Sequence, residues 1–202
     1  ADVGVRVLGV DPGSRATGWA LVIAEGNRYH LELSGVVRPR GESRHCRLAD
    51  LSHRFAEVIG ELAPDCAAVE ASFSGLNPKT GLALAESRGV ILAVLGRNQL
   101  DVVSYSPAEV KSAIVGHGRA EKRQINYMVV RLLGLAKPPP SDAADAMAVA
   151  LITSILVAGE HPVDDPLGSC YDALPSSSDE GRNIVDAVFS GVIPELVDHR
   201  KP

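Results

Sequence analysis

Cysteine is scarce in this chain. There are three in 202 residues, Cys46, Cys66 and Cys170, an odd number with no C-x-x-C pair among them. Neither a disulfide framework nor a zinc site is suggested, and the thiols are expected to be reduced and inert, Cys66 lying in an apolar run. Long hydrophobic runs are missing as well. The longest nearly uncharged stretch, Ala146 to Ala158, has 13 residues and includes Thr153 and Ser154, whereas crossing a bilayer takes about 18 or more. No transmembrane helix is expected. The first twenty residues lack the succession of basic flank, apolar stretch and small-residue cleavage site that marks a secretory signal. A cytoplasmic protein without a membrane partner is therefore expected. Also absent are a nucleophilic Ser or Cys elbow, an H-E-x-x-H pair and a Walker lysine loop.

What is present fits one globular domain: 46% of residues are hydrophobic and 22% charged, which excludes collagenous, fibrous and wholly disordered chains. The net charge of −5 is unevenly spread. Residues 160–202 hold nine acidic and three basic residues, a charge of −6, which leaves +1 for residues 1–159. Within that body, residues 105–137 carry Lys111, Arg119, Lys122, Arg123, Arg131 and Lys137 against Glu109 and Glu121, a local +4. Such a stretch suits a polyanion, or is simply a set of solvated helix faces.

Hydrophobic patterning orders the chain. Val3 to Val10, Thr17 to Ala24 and His30 to Val37 read as three strands, the last two joined by the hairpin signal Gly26-Asn27. Leu48, Leu51, Phe55, Val58, Ile59 and Leu62 then fall on one face of a helix over Arg44 to Leu62. A short strand, Cys66 to Ala71, is followed by a helix opened by Asn77-Pro78 and reaching about Leu95, and by a fifth strand, Asp101 to Tyr105. Ser106-Pro107-Ala108-Glu109 is a capping box for a short helix ending near Gly116. Ile125 to Leu133 marks another helix stopping at Gly134, and Ser141 is expected to cap a last one to about Ala158. The order βββαβαβααα predicts an α/β fold with a mixed five-stranded sheet flanked by helices: three antiparallel strands, then two parallel to the first. Beyond Glu160 the composition turns to Asp, Ser, Pro and Gly, which predicts a partly flexible acidic tail over 160–202, with Ile184 to Leu196 apolar enough to dock as a small helix or strand.

Four acids stand out. Asp11 ends the first strand and Glu70 the fourth, and ligands collect beyond the carboxyl ends of strands in such sheets. The plainer reading is a simple Asp-Pro-Gly turn and a surface glutamate. Asp142 and Asp145, at i and i+3, share one side of a helix start, about 5–6 Å apart at Cβ. Acids favour first turns for dipole reasons, but Asp145 leads into an apolar helix, so an acid at its entrance faces something specific. Four clustered carboxylates repel, and hard divalent cations with oxygen ligands relieve the repulsion. Mg²⁺ is the natural occupant, or Mn²⁺, and two ions about 4 Å apart can activate water for phosphodiester cleavage.

These residues resemble a known family. Val7-Leu8-Gly9-Val10-Asp11-Pro12-Gly13-Ser14-Arg15 with Thr17-Gly18, Ala68-Val69-Glu70 with Phe73 and Asn77, Tyr105-Ser106, Val110-Lys111, Val115-Gly116 with Ala120-Glu121-Lys122, and Asp142-Ala143-Ala144-Asp145-Ala146 are together similar to RuvC, the bacterial Holliday junction resolvases. The resemblance covers about residues 5–157. It implies an RNase H-like nuclease domain over 1–159, a homodimer, and Mg²⁺-dependent paired nicking of opposite strands in four-way junction DNA, in recombination and repair. It implies RuvA and RuvB, the branch-migration proteins, as partners. Asp11, Glu70, Asp142 and Asp145 match the family's catalytic, metal-binding acids, and Phe73 matches an aromatic that stacks on a base near the crossover. Lys111 and Lys122 match lysines near DNA phosphates, with Arg119 and Arg123 from the same basic stretch as further DNA-binding candidates. Leu76 stands where the family usually has a basic residue, and Leu82 to Ser87 departs from the common pattern. Two other readings remain open on the residues alone: an actin-like or Hsp70-like ATPase, which needs a second domain, and a junction-binding module that has lost cleavage.

Overall fold

The computed structural model describes residues 4–71, 77–116 and 118–158. Phe73, Leu76, Cys170 and the acidic segment 160–202 with its Ile184–Leu196 stretch lie outside the described residues. Five strands, β1 Val5–Asp11, β2 Thr17–Glu25, β3 Arg28–Val37, β4 Cys66–Glu70 and β5 Asp101–Tyr105, form one sheet in the order β3-β2-β1-β4-β5. The first three run antiparallel, and β4 and β5 run parallel to β1, as the patterning predicts. Gly26, at φ 55°, supplies the left-handed residue that the two-residue β2–β3 hairpin requires.

Five helices, α1 Arg44–Leu62, α2 Pro78–Arg97, α3 Pro107–Val115, α4 Lys122–Leu132 and α5 Ser141–Ala158, cover both faces. The two-residue alternation of the strands divides the core. Val7, Ala20, Val22, Ala68 and Tyr105 pack beneath α3, α4 and α5. Leu8, Leu21, Ile23, Ala67 and Val69 pack against Leu51, Phe55 and Ile59 of α1 and Ile91 and Leu95 of α2. At the far end of β1 from Asp11, the Arg6 guanidinium donates to both oxygens of Glu32 at 2.7 and 3.1 Å and to the Leu62 carbonyl at 2.8 Å.

Local signals account for most helix ends. Ser43 accepts from the Cys46 N–H to cap α1, and Asn77 accepts from the Thr80 N–H at 2.9 Å to cap α2. The reciprocal Ser106–Glu109 box is formed at the start of α3. The start of α5 differs from expectation. The Pro140 carbonyl already accepts from the Ala143 and Ala144 N–H groups, so Ser141 is the first helical residue and not the cap. Along most of its length α5 is buried all round, between the sheet and α3 and α4. That is why its sequence lacks an amphipathic period. The 13-residue apolar stretch is thus a central core helix, and no helix among the described residues is long and apolar enough to cross a membrane. Among the described residues Cys46, which is exposed, and Cys66, which is half-buried, form no disulfide.

Two glycines set how closely α5 approaches the sheet. A Cβ on Gly9 of β1 would lie 2.1 Å from the Ala146 carbonyl oxygen and 2.6 Å from the Ala150 nitrogen. One on Gly18 of β2 would lie 1.8 Å from the Asp142 carbonyl oxygen. The contact is backbone on backbone, so no side-chain rotation can relieve an added methyl. Gly18→Ala is expected to lower stability by about 1–3 kcal/mol, the range for overpacking a tight core. Gly60→Ala, on the exposed face of α1 with open space around it, is expected to raise stability by about 0.5–1 kcal/mol. Urea denaturation midpoints of the two variants check both signs.

Candidate active site

Strand parity brings the first two acids together. Val7, Gly9 and Asp11 share the α5 face of β1, and Ala68 and Glu70 share the same face of β4. Gly9 pairs with Ala68 and Val10 with Val69, and continuing that register sets Glu70 beside Asp11. Asp11 itself is paired with Gly18 across the β1–β2 ladder. Because the backbone of Asp142 rests on Gly18, the first turn of α5 is seated directly over Asp11. Asp145 stands one turn further on, so acids from three separate segments meet at one end of the sheet.

Two cations are drawn into this cluster. Arg38, the residue after β3, places Nη2 3.0 Å from Asp142 Oδ2. Lys122, the first residue of α4, places Nζ 2.7 Å from Asp145 Oδ2. The start of α4 is fixed by its own reciprocal box, in which the Glu121 N–H donates to Gln124 Oε1 at 2.8 Å. The remaining charge shows at Asp11. Its carboxyl is pushed up from the ordinary 3.8 to about 7, foremost by burial, then by the negative charges of Glu70 and Asp145. Lys122 pulls the other way, and Asp142 adds a smaller upward push. The other three acids therefore all lie within electrostatic reach of Asp11. The four surround the site without closing on a point, since among the described residues no three carboxylate, imidazole or thiolate groups are gathered tightly enough to hold one ion.

Of the basic residues expected to meet DNA, the structure ties Lys122 directly to the acids. Lys111 is half-buried on α3, while Arg119 and Arg123 are exposed, one just before α4 and one in its first turn. Phe73 lies outside the described residues. Arg38 is not among the residues expected from sequence, because no motif marks it. Its signal lies in the strand register: Thr17 pairs with Val37, which brings the residue after β3 out at the same end of the sheet as Asp11.

A mixed sheet of this order and polarity, with helices on both faces, is the fold of the RNase H-like nucleases. The family model for crossover junction endodeoxyribonuclease RuvC matches residues 7–153. The chain is 44% identical to the crossover junction endodeoxyribonuclease RuvC of Oleidesulfovibrio alaskensis over 148 residues, 73% of this chain and 89% of that one. Among solved structures, Thermus thermophilus RuvC is similar at 31% identity with a TM-score of 0.70, covering 77% of this chain and 97% of that one. T. thermophilus RuvC in complex with a Holliday junction substrate matches at 30% identity and a TM-score of 0.71, covering 77% and 96%. This chain belongs to the RuvC family of crossover junction endodeoxyribonucleases, which decides for the nuclease over the ATPase.

The raised pKa of Asp11 has a consequence for stability without metal. The folded state resists ionising this group, so its contribution is fully present below pH 3.8 and is lost as pH rises toward about 7. Asp11→Asn removes that loss. The metal-free variant is expected to be more stable than the parent by an amount that grows from about pH 4 to pH 7 and is level above, on the order of a few kcal/mol. Urea titrations in EDTA at pH 4.5 and 7.5 check this, and equal gains at both would refute the assignment of charge.

Proposed function

We propose that the chain resolves four-way DNA junctions by hydrolysing one phosphodiester on each of two opposing strands, with Asp11, Glu70, Asp142 and Asp145 as catalytic and metal-holding groups. The observation that carries this reading is the meeting of four acids from β1, β4 and α5 at one end of the sheet, in a member of the RuvC family.

The donor set suits a hard cation. Every candidate ligand is a carboxylate oxygen, with no imidazole or thiol among the four, which favours Mg²⁺ or Mn²⁺ over zinc. The upward push on Asp11 comes foremost from burial and then from the charges of Glu70 and Asp145, and Lys122 offsets it only in part. Two bound Mg²⁺ ions would supply a water activated at neutral pH and a counter-charge for the leaving oxygen. The chain's own residues do the positioning. Asp11 and Glu70 are fixed by the ladder, and Asp142 and Asp145 by the seating of α5. Lys122 and Arg38, each beside one acid, are placed to meet the phosphate oxygens of the strand being cut. Lys111, Arg119 and Arg123 extend the basic surface along α3 and α4, and Phe73 is the base-stacking candidate.

One chain carries one set of four acids, so cutting two strands requires a second copy, and the active form is proposed to be a homodimer. RuvA and RuvB are proposed as the partners that deliver the junction. Retention of all four acids speaks against a binding module that has lost cleavage.

The test is incision of labelled synthetic four-way junctions, with linear duplex controls, in EDTA, Mg²⁺ or Mn²⁺. Symmetric metal-dependent nicks in the junction are expected; indiscriminate cutting of duplex would remove the junction reading. Asp11→Asn is expected to cut at least about a hundredfold more slowly, in line with losing one group that stabilises developing charge, while binding the junction as the parent does. Lys122→Ala is expected to weaken binding and to reduce the slope of log K against log salt by about one. An unchanged slope would return Lys122 to a purely structural role beside Asp145.

A further inference from the structure

The turn that leaves Asp11 opens onto a cleft that plays no part in the proposed chemistry. Its volume is about 760 Å³, and Ser14, Arg15, Arg44, Arg47, Lys79 and Thr80 are among the residues that line it, with no acid in the lining. Pockets of this size that bind neutral small molecules are lined mainly by apolar side chains. Here four cations from three segments face one space: Arg15 from the β1–β2 turn, Arg44 and Arg47 from the first turn of α1, and Lys79 from the first turn of α2.

Their charges are unequally occupied. Arg44 is anchored, with Nε 2.5 Å from Glu86 Oε2 and Nη2 donating to the Ala83 carbonyl. Arg47 donates to the backbone carbonyls of Gly41 and Glu42, at 3.2 and 3.3 Å, and to no carboxylate among the described residues. Arg15 and Lys79 are exposed and form no ion pair among the described residues. Three guanidinium or ammonium groups thus remain to meet an external anion. The Ser14 and Thr80 hydroxyls, and the positive end of α2 where Lys79 and Thr80 stand, reinforce that preference.

Two segments link the cleft to the acids. Ser14 is three residues beyond Asp11, a distance of at most about 10 Å along the chain. Pro39, also in the lining, directly follows Arg38, whose guanidinium meets Asp142. We propose that this cleft holds the sugar–phosphate backbone of the DNA strand being cut, a few nucleotides from the scissile bond. The α3–α4 basic stretch would then engage DNA through a different set of elements. The proposal rests on the reading of the four acids as a DNA-cutting site.

The experiment compares the full chain with an Arg15→Ala, Lys79→Ala double variant, in EDTA, on a four-way junction and on linear duplex of the same length. Both residues are exposed, so the thermal midpoint of the variant should match the parent and certify the fold. Loss of two phosphate contacts is expected to lower the slope of log K against log salt by about two, and to weaken binding at least about tenfold at moderate salt, on both DNAs. Unchanged slope and affinity on both would overturn the cleft assignment. If the parent shows no preference for the junction but the slope still falls on duplex, the cleft stands and the junction reading fails. Thermal stabilisation of the parent by AMP that is lost in the variant, with the DNA slope unmoved, would mark a small-anion pocket and overturn the proposal.

Discussion

The contact on which this structure depends is the seating of the α5 backbone on two glycines. Gly9 and Gly18 bring the helix to van der Waals distance of β1 and β2, with no side chain between. The Ala143, Ala144, Ala146, Ala148 and Ala150 methyls keep the helix thin enough to stay there, and all five are buried. Asp142 and Asp145 ride on the first turns of that helix, and Asp11 lies directly across the ladder from Gly18. The distance between the two halves of the acid cluster is therefore set by core packing, and the precision of the site is inherited from the rigidity of the helix–sheet contact.

Electrostatics works against this arrangement. Burial and three neighbouring acids oppose ionisation of Asp11, and the opposition is only partly offset by Lys122. The positive end of α5 is a favourable place for Asp142, and Arg38 adds a counter-charge there. The fold tolerates the residual repulsion because the apolar layers on either side of the sheet supply the stability. Such local conflict, in a chain whose remaining signals agree with its structure, is what marks a functional site.

How much of this is legible in the sequence depends on the range of each signal. Short-range signals are the clearest. The α1 face, the Asn77 cap, the Ser106–Glu109 box and the strand Asp101–Tyr105 each depend on residues within a few positions of one another, and all appear in the structure. Asp11 and Glu70 are visible because strand exits can be located from a hydrophobic run that stops. Arg38 is not, since its link to Asp142 spans 104 positions and depends on the β2–β3 register. The cleft is hidden for the same reason: Arg15, Arg44, Arg47 and Lys79 come from three segments, and their basic character is ordinary in each. Ser141 misleads because a serine after proline looks like a cap, while the preceding carbonyl is already free to start the helix.

The order of the acids along the chain bears on biosynthesis. Asp11 and Glu70 are made early, but Asp142 and Asp145 belong to α5, whose docking completes one whole face of the sheet. A nascent chain that has not yet delivered α5 exposes the apolar α5 face of the sheet and holds only half of the acids. On the proposed assignment, the ribosome-bound protein is catalytically silent until nearly all of this domain has emerged, so a DNA-cutting activity arises together with the finished fold and not before it.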